Sequence, residues 1–377
     1  MRVLHLISGG DVGGAKVQVI TLVKALQKEN IDVKLICFMP GIFYDEARKE
    51  GLNIELLEQS SRFDFSVLKE IRGIIQEENY NLLHSHGARA NLLSMLLRAD
   101  IPVVTTLHSD YLMDFNDNFF KKIVFTPLNM LSLRYMDHYI TISPELQETI
   151  IERGFPRDKT SFVFNGLDFD REVSCISREE FLSSKGVPFN SQAVYAGILA
   201  RLHPIKGHEV FLKGAARVLK SYENVRFIMG GDGSQKNELE SLARKLNIEN
   251  YVFFIGFVDN PYDFFNAIDI NILTSYHETF PYALLEGAKM KKPSISSRVG
   301  GIPQLIIEGK TGYLFESGDD SELAEKMELL LESRERRLAL GEALYKLGRE
   351  KYSCASMAKQ FIEIYHKVIK KVMKNEA

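Results

Sequence analysis

Four charged residues in the second half of the chain have types and spacing that suit the binding of a phosphorylated sugar. Arg201 and Lys206 directly follow a short apolar run, and Glu278 precedes Glu286 by eight residues. Cations at the carboxyl ends of parallel strands neutralise phosphate groups, and carboxylates accept hydrogen bonds from sugar hydroxyls. The set predicts a site for a ligand that carries a diphosphate and hydroxylated rings.

Pro281 lies between the two glutamates and predicts a helix N-terminus. Proline suits the first helical position because it has no amide hydrogen. The amides of Tyr282 and Ala283 then remain outside the intrahelical hydrogen bonds and are available to an anion. Glu286 lies about one turn into this helix, and Glu278 lies on the loop before it. An eight-residue spacing of two glutamates is common, so the helix start and the nearby cations carry the argument.

The first glycine loop, Ser8–Gly14, argues against a dinucleotide site. Such a site needs the pattern G-x-G-x-x-G, and Ser8 occupies the place of the first glycine. It also needs an acidic residue at the end of the second strand to bind ribose hydroxyls. That strand ends at Cys37–Pro40, which contains no carboxylate. Without a ligand, this loop is an ordinary tight turn between a strand and a helix.

Apolar runs alternate with helical segments along two halves of the chain, which predicts an α/β protein with parallel sheets. A polar stretch between 167 and 192 separates the halves, so we expect domains at 1–170 and 171–354. The last segment, 355–377, predicts a helix with one apolar stripe, which packs either on its own domain or back on the N-terminal domain. The strand candidates are 3–7, 33–38, 81–85, 103–107, 138–142, 162–164, 193–199, 225–229, 251–255, 268–273 and 293–297.

The composition of the chain argues against several classes of protein. The chain has 377 residues with 47 basic and 50 acidic side chains, so its net charge of −3 does not suit a nucleic-acid binder. Its 3 cysteines include no CxxC pair, which argues against a disulfide scaffold and a structural zinc site. No apolar run has the length of a membrane span or a signal peptide. We therefore expect a cytoplasmic protein.

Several motifs occur in a fixed order, and together they carry a resemblance to a known family. In the first half they are Gly13-Gly14, His84-Ser-His86-Gly87, Thr106-Leu-His108 and Asn165-Gly166-Leu167-Asp168. In the second half they are Arg201…Lys206-Gly207, Gly230-Gly231-Asp232-Gly233, Gly256-Phe257, Glu278…Glu286 and Gly300-Gly301-Ile302-Pro303. In this order and spacing the chain resembles the retaining family-4 glycosyltransferases (glycosyl transferases group 1). The resemblance implies the GT-B fold, with two Rossmann-like, doubly wound domains facing across a cleft.

The resemblance also implies roles for individual residues. Arg201 and Lys206 would bind the diphosphate of a nucleotide-sugar donor, Glu286 the ribose, and Glu278 the transferred sugar. His108 would lie near that sugar, with a binding role favoured over that of a general base. The implied donor is a nucleotide-diphosphate sugar, with a UDP-sugar favoured, and no cofactor is implied. The remaining implied donor contacts are Gly13, Gly14, Gly231, Val258, Tyr282 and Ala283.

The acceptor is expected to be a glycan, a lipid-linked molecule or a small molecule bound by the N-terminal domain. His86 and Tyr111 are candidates for this side, and a buried structural histidine is an equal alternative for His86. The aromatic and basic loop 109–122 suits either the inner membrane surface or a helix that covers the site. Residues 1–150 hold 15 basic and 19 acidic groups, a net charge of −4, which argues against strong binding to anionic lipid.

One motif departs from the family pattern and another imitates a metal site. Thr279-Phe280-Pro281 stands where Gly-Phe-Gly is common in the family, which puts the fit of the donor sugar in question. Asp168 and Asp170 form a DxD triplet of the kind that binds a divalent ion, but they follow a turn and not a strand. We therefore expect no metal ligand. The alternatives are a nucleotide-sugar epimerase on the same fold and a non-catalytic homologue that binds nucleotide sugars.

Overall fold

Buried apolar runs form two parallel sheets in the computed structural model, which describes residues 1–10, 14–112 and 119–376, without the side chains of 119–122 and 373–376. The chain divides into a first unit, Met1–Gly166 with Cys354–Ala377, and a second unit, Leu167–Ser353. The division at Gly166 lies four residues before the expected boundary at 170. The second unit begins and ends at neighbouring points, because Leu167 and Ser353 form a parallel bridge.

The first unit contains a seven-stranded sheet in the order β3-β2-β1-β4-β5-β6-β7, with every pair parallel. Strand order changes direction between β1 and β4, which makes the carboxyl ends of these two strands the switch point of the sheet. The strands are β1 (Arg2–Ile7), β2 (Asp32–Cys37), β3 (Ile54–Leu56), β4 (Leu82–His86), β5 (Val103–Leu107), β6 (His138–Thr141) and β7 (Thr160–Phe162).

The second unit contains a six-stranded parallel sheet in the order β10-β9-β8-β11-β12-β13. Its switch point lies between β8 and β11, because the strands that follow β8 run outward on one side and those from β11 on the other. The strands are β8 (Val194–Leu199), β9 (Val225–Gly230), β10 (Val252–Gly256), β11 (Ile270–Leu273), β12 (Ser294–Ser297) and β13 (Gly312–Phe315).

Helices connect the strands in both units, as right-handed crossovers between parallel strands require. None of the described helices combines the length and apolar character needed to cross a membrane. The helices are α1 (Gly14–Lys28), α2 (Ile42–Lys49), α3 (Val67–Glu77), α4 (Gly87–Leu97), α5 (Phe119–Leu133), α6 (Pro144–Glu152), α7 (Arg178–Ser184), α8 (His208–Val218), α9 (Lys236–Lys245), α10 (Pro261–Ala267), α11 (Tyr282–Lys289), α12 (Ile302–Leu305), α13 (Asp320–Glu332), α14 (Arg334–Lys351) and α15 (Cys354–Glu376).

Each sheet is covered on both faces by apolar side chains. In the first unit, Leu22 of α1 and Phe361 of α15 pack on one face, and Ile71 of α3 packs on the other. In the second unit, Phe211 of α8 and Phe264 of α10 lie in the cores of opposite faces. The C-terminal helix α15 therefore belongs to the first unit, where its apolar stripe is buried against α1.

Two of the observed strands, β3 and β13, were not predicted from the sequence. A third, β7, covers other residues than those predicted. β3 and β13 have three and four residues at the outer edges of their sheets, and neither forms a long apolar run. β7 covers Thr160–Phe162 and not 162–164, because Val163 continues the pairing only as a hydrogen bond to Thr141.

Candidate functional site

Two loops meet at the switch point of the second sheet and form the centre of the candidate site. One follows β8 and contains Arg201 and Lys206, and the other follows β11 and contains Glu278. Ligands of open α/β sheets bind at this point, because the loops of neighbouring strands diverge there and leave a crevice. The chain topology therefore brings together residues that are 72 positions apart in the sequence.

Gly207 allows the two loops to approach closely. It adopts a left-handed conformation with φ of 60°, and a Cβ at this position would lie 2.2 Å from the carbonyl oxygen of Thr274. The Thr274 hydroxyl donates a hydrogen bond of 3.0 Å to the carbonyl of Lys206, and the Tyr276 amide donates one of 2.8 Å to Ile205. These bonds hold the Lys206 backbone against the loop that carries Glu278.

Lys206 and Glu278 form an ion pair at the centre of this site. Lys206 Nζ lies 2.5 Å from Glu278 Oε1, and the side chains are 19% and 10% exposed. The Ser275 hydroxyl donates a second hydrogen bond of 2.7 Å to the same oxygen. These two partners stabilise the buried Glu278 carboxylate, whose burial without a partner would cost free energy, and they fix its orientation. Ser275 was not among the predicted residues, although its place two residues after β11 and three residues before Glu278 is a usable signal.

A glycine after β12 supports the backbone of Glu278. Gly300 has φ of 50°, and a Cβ there would lie 1.7 Å from the Glu278 carbonyl oxygen. The next amide, from Gly301, donates a hydrogen bond of 2.8 Å to Thr279. The predicted glycine turn thus packs against the glutamate loop, which explains why its residues must be small.

Arg201 differs from Lys206 in being exposed and unpaired. Its guanidinium makes no ion pair or hydrogen bond with any residue of the described ranges. A cation held at a sheet edge without a protein partner is available to an anionic ligand.

Glu286, the second carboxylate predicted to bind the ligand, lies on α11. Burial raises its pKa from 4.5 to about 7. Pro281 is the N-cap of this helix and not its first residue, so α11 begins at Tyr282. The amides of Tyr282 and Ala283 are consequently in the first helical turn, as predicted. An apolar setting that penalises the Glu286 charge makes this carboxylate a strong acceptor for ligand hydroxyls.

Two predicted donor contacts have structural roles in this unit. The Gly231 amide donates a hydrogen bond of 2.8 Å to the carbonyl of Gly256, so it is not available to a phosphate. Val258 is nearly buried after β10, and the preceding Phe257 amide bonds to the carboxylate of Asp232 at 3.0 Å. These bonds join the loops after β9 and β10, and the roles of Gly231 and Val258 in donor binding stay predictions.

The first unit holds a buried cluster of histidines beside its switch point. His5 Nδ1 and His86 Nε2 share a hydrogen bond of 3.0 Å, while His84 bonds to Tyr365 at 2.7 Å and to Thr106 at 2.8 Å. Their nitrogen atoms lie close enough for a metal. Both His84 nitrogens are engaged by hydroxyls, so the cluster fits a hydrogen-bonded network better than a metal centre. His86, a candidate for the acceptor, is 2% exposed and belongs to this core.

His108 follows β5 and remains a candidate for ligand binding. Burial lowers its pKa to about 4, so its imidazole is neutral at pH 7. Its Nε2 atom is buried and has no hydrogen-bond partner in the part of the chain that the structure describes. A neutral imidazole donates or accepts a hydrogen bond, but with this pKa it is a weak base. The geometry therefore favours a binding role for His108.

Tyr111 and the glycines of the first loop complete the predicted residues of the first unit. Tyr111 is 3% exposed and packs edge-on against Phe155, which makes it a core residue and corrects its assignment to the acceptor. Gly14 begins α1, whereas Gly13 lies outside the described residues, as do residues 113–118 of the aromatic loop.

The DxD triplet makes turn and surface contacts. The Asp168 carboxylate accepts a hydrogen bond of 3.0 Å from the Arg171 amide, and Asp170 forms an ion pair of 2.8 Å with Arg349. The Asp168 and Arg171 carbonyls also accept hydrogen bonds from Lys289. These contacts are those of a structured turn at the start of the second unit.

Comparisons with known proteins agree with this architecture. The family model of glycosyl transferases group 1 matches residues 181–347, and that of Glycosyltransferase Family 4 matches residues 12–171. An N-acetyl-alpha-D-glucosaminyl L-malate synthase of Bacillus anthracis is 25% identical over 88% of this chain and 85% of its own length. The O-antigen biosynthesis glycosyltransferase WclY of Escherichia coli is 21% identical over 99% of this chain and 100% of its own length.

Solved structures share the whole fold. Anabaena Alr3699/HepE in complex with UDP aligns with a TM-score of 0.81 at 20% identity, over 97% of this chain and 100% of that chain. Its complex with UDP-glucose aligns with a TM-score of 0.80 at 21% identity, over 97% of this chain and 100% of that chain. Since the two family models together match most of the chain, one in each unit, the chain belongs to the family-4, group 1 glycosyltransferases of GT-B fold.

Proposed function

We propose that this glycosyltransferase moves a sugar from a UDP-sugar to a glycan, lipid-linked or small-molecule acceptor, with retention of the anomeric configuration and without a metal ion. The observation that carries the proposal is the Lys206–Glu278 pair at the switch point of the second sheet. A cation there meets the diphosphate, and a carboxylate fixed beside it meets the hydroxyls of the sugar.

Uridine is favoured as the nucleoside because the structural relative Alr3699/HepE was crystallised in complex with UDP and with UDP-glucose. A role in surface polysaccharide or glycolipid synthesis is favoured by the O-antigen glycosyltransferase among the relatives. The reaction is proposed to occur in the cytoplasm or at the inner membrane surface. The three widely spaced cysteines include no CxxC pair, which fits a reducing compartment.

The proposed step breaks the bond between the anomeric carbon and the diphosphate oxygen. Negative charge then grows on the leaving diphosphate, and the cations of Arg201 and Lys206 lower the barrier by stabilising it. The acceptor oxygen forms its new bond on the same face of the sugar. Its proton passes to an oxygen of the departing phosphate, so no protein nucleophile is needed.

Glu278 has a binding task in this scheme. Its Oε1 atom is engaged by Lys206 and Ser275, so the carboxylate is held rigidly where sugar hydroxyls would meet it. The same contacts couple sugar binding to the position of the Lys206 cation. His108, neutral at pH 7, would add a hydrogen bond to the sugar and no proton transfer.

Slow hydrolysis of UDP-glucose tests both stereochemistry and metal dependence without a known acceptor. Water takes the place of the acceptor, so a retaining enzyme first releases α-glucose, which proton NMR detects before the anomers equilibrate. We expect EDTA to leave the rate unchanged, because two cations neutralise the diphosphate. We also expect Asp170→Asn, which removes only the surface pair with Arg349, to behave as wild type.

Two results would overturn this proposal. Initial release of β-glucose would exclude retention. A rate lost in EDTA and restored by Mg²⁺ or Mn²⁺ would instead assign metal binding to Asp168 and Asp170.

A further inference from the structure

Helix α5 presents apolar side chains to solvent and polar side chains to the core. Over residues 123–133, whose side chains the structure describes, the four exposed residues are all apolar, namely Ile123, Val124, Pro127 and Leu131. Three of the four buried residues are polar, namely Thr126, Asn129 and Ser132. A helix on the surface of a domain in water normally has the opposite arrangement. The four exposed residues will be called the outer face of α5.

Hydrogen bonds of the buried polar residues fix this orientation of α5. The Asn129 side-chain oxygen accepts a hydrogen bond of 3.0 Å from the amide of Asn91 on α4. Asn91 in turn accepts a hydrogen bond of 2.8 Å from the Thr105 hydroxyl on β5. The Ser132 hydroxyl donates one of 2.8 Å to the carbonyl of Leu128. Turning the apolar residues inward would break these bonds, and a buried polar group without a partner costs free energy. The outer face of α5 is therefore held toward the surroundings of the protein.

The exposed apolar surface continues beyond the helix. Phe63 and Phe65 on the loop after β3 are exposed, and the Phe63 ring stacks on Phe125 of α5 with ring centroids 6.2 Å apart. Tyr135, two residues after α5, is exposed as well. With Ile123, Val124 and Leu131 of the outer face, these three make up six of the 15 large apolar side chains exposed in the described part of the chain. An exposed apolar surface of this extent marks a site of contact with a partner.

The charges of this surface favour a lipid bilayer over a second copy of the chain. Residues 118–136 contain no acidic residue and three cations, Lys121, Lys122 and Arg134. On the neighbouring loop, Arg62 and Asp64 offset each other in charge. Two copies meeting through this segment would bring like charges together, whereas anionic lipid attracts them. Because residues 1–150 have a net charge of −4, insertion of the apolar side chains must supply most of the binding free energy.

We propose that the outer face of α5 docks on a lipid bilayer, with the helix lying in the interface and its apolar side chains inserted between the headgroups. Helix α5 begins at the carboxyl edge of the first sheet, the edge where His108 follows β5, and leads back to the start of β6. Docking would hold this edge near the lipid surface. The inference rests on the proposed sugar transfer in one respect, since it selects a lipid-linked molecule from the three acceptor classes.

Fluorescence of an introduced tryptophan tests insertion at a single position, because the chain contains no tryptophan of its own. Ile123→Trp places the reporter on the outer face of α5. Leu338→Trp is the matched control, since Leu338 on α14 of the second unit is 60% exposed and Ile123 is 56% exposed. The probes are vesicles of equal parts of phosphatidylcholine and phosphatidylglycerol. We expect them to shift the emission of Ile123→Trp to shorter wavelength and to leave that of Leu338→Trp unchanged.

Co-sedimentation of the full chain with the same vesicles measures the binding itself. A double variant, Ile123→Gln with Leu131→Gln, is expected to bind at least ~10-fold more weakly. Its melting temperature should equal or exceed that of the wild type, because both positions are exposed to solvent. Arg134→Gln should weaken binding to these vesicles but not to vesicles of phosphatidylcholine alone. Leu338→Gln is expected to bind as the wild type does.

The inference fails if the wild type stays in solution with both kinds of vesicle, or if the double variant binds them as well as the wild type does. A wild-type dimer in sedimentation velocity that dissociates in the double variant would also overturn it, because the outer face would then join two copies of the chain. Vesicle binding as expected without any sugar transfer would support the docking surface and count against the proposed function.

Discussion

Glu278→Gln is expected to lower the rate of sugar transfer by at least ~10³-fold while changing the affinity for UDP less than about threefold. The substitution removes the carboxylate proposed to bind the transferred sugar. The amide oxygen of glutamine still accepts hydrogen bonds from Lys206 and Ser275, so the cation stays at the proposed diphosphate site. The nucleoside part of the ligand is proposed to bind elsewhere, at Glu286, and should be unaffected.

Two measurements on the same preparation test this prediction, namely the rate of UDP-glucose turnover and UDP binding by calorimetry. Glu316→Gln is the matched control, because Glu316 also pairs with a basic residue, Arg298, at 2.9 Å in the same unit but on the surface. This control should retain full turnover. Equal losses of turnover and UDP affinity in Glu278→Gln would contradict the assigned role.

Glu286→Gln is expected to stabilise the protein above pH 7 and to weaken donor binding. Burial raises the pKa of Glu286 from 4.5 to about 7, so the folded state holds the proton more tightly than the unfolded state does. Stability is therefore highest below pH 4.5 for this group and falls as the pH rises through 7. The shift corresponds to about 3 kcal/mol at pH 8, which the neutral glutamine would recover.

The pH dependence of donor affinity follows from the same group. Wild-type affinity for UDP-glucose should fall as the pH is lowered from 8 to 6, because ribose hydroxyls donate best to the ionised carboxylate. The diphosphate of UDP-glucose stays ionised throughout this range, so it does not contribute. Glu286→Gln should bind UDP-glucose at least ~10-fold more weakly, with little dependence on pH.

Glu325→Gln serves as the control for Glu286, since Glu325 is an exposed glutamate on α13 of the same unit. Its stability and donor affinity should follow the wild-type curves. Denaturant unfolding at pH 5 and pH 8 provides the stability comparison. A Glu286→Gln variant that is less stable than wild type at pH 8 would show that the carboxylate has a structural partner and not a free binding role.

Local patterns in the sequence were sufficient to predict the fold class and to place Arg201, Lys206 and Glu278 at the carboxyl edge of the second sheet. Buried strands of a parallel sheet are continuous apolar runs, so β8 and β11 and the loops after them could be located directly. Arg201, Lys206 and Glu278 follow such runs, and the rule that ligands bind at the carboxyl edge was then sufficient. The short edge strands β3 and β13 gave no comparable signal.

Contacts between loops that are distant in the sequence could not be predicted. These contacts decide which residues are available to a ligand. The Gly231 amide is used by Gly256, which no spacing rule reveals. His86 is buried in the core, where it shares a hydrogen bond with His5. The two histidines meet because β1 pairs with β4.

The loops after β8 and β11, together with α11, are proposed to bind a nucleotide-diphosphate sugar. Thermal unfolding of the wild type and of Lys206→Ala, with UDP, GDP, ADP and their glucose conjugates, is the first test of this proposal. We expect a rise in melting temperature with uridine nucleotides in the wild type and a clearly smaller rise in Lys206→Ala. No rise with any nucleotide, or an equal rise in both proteins, would contradict it.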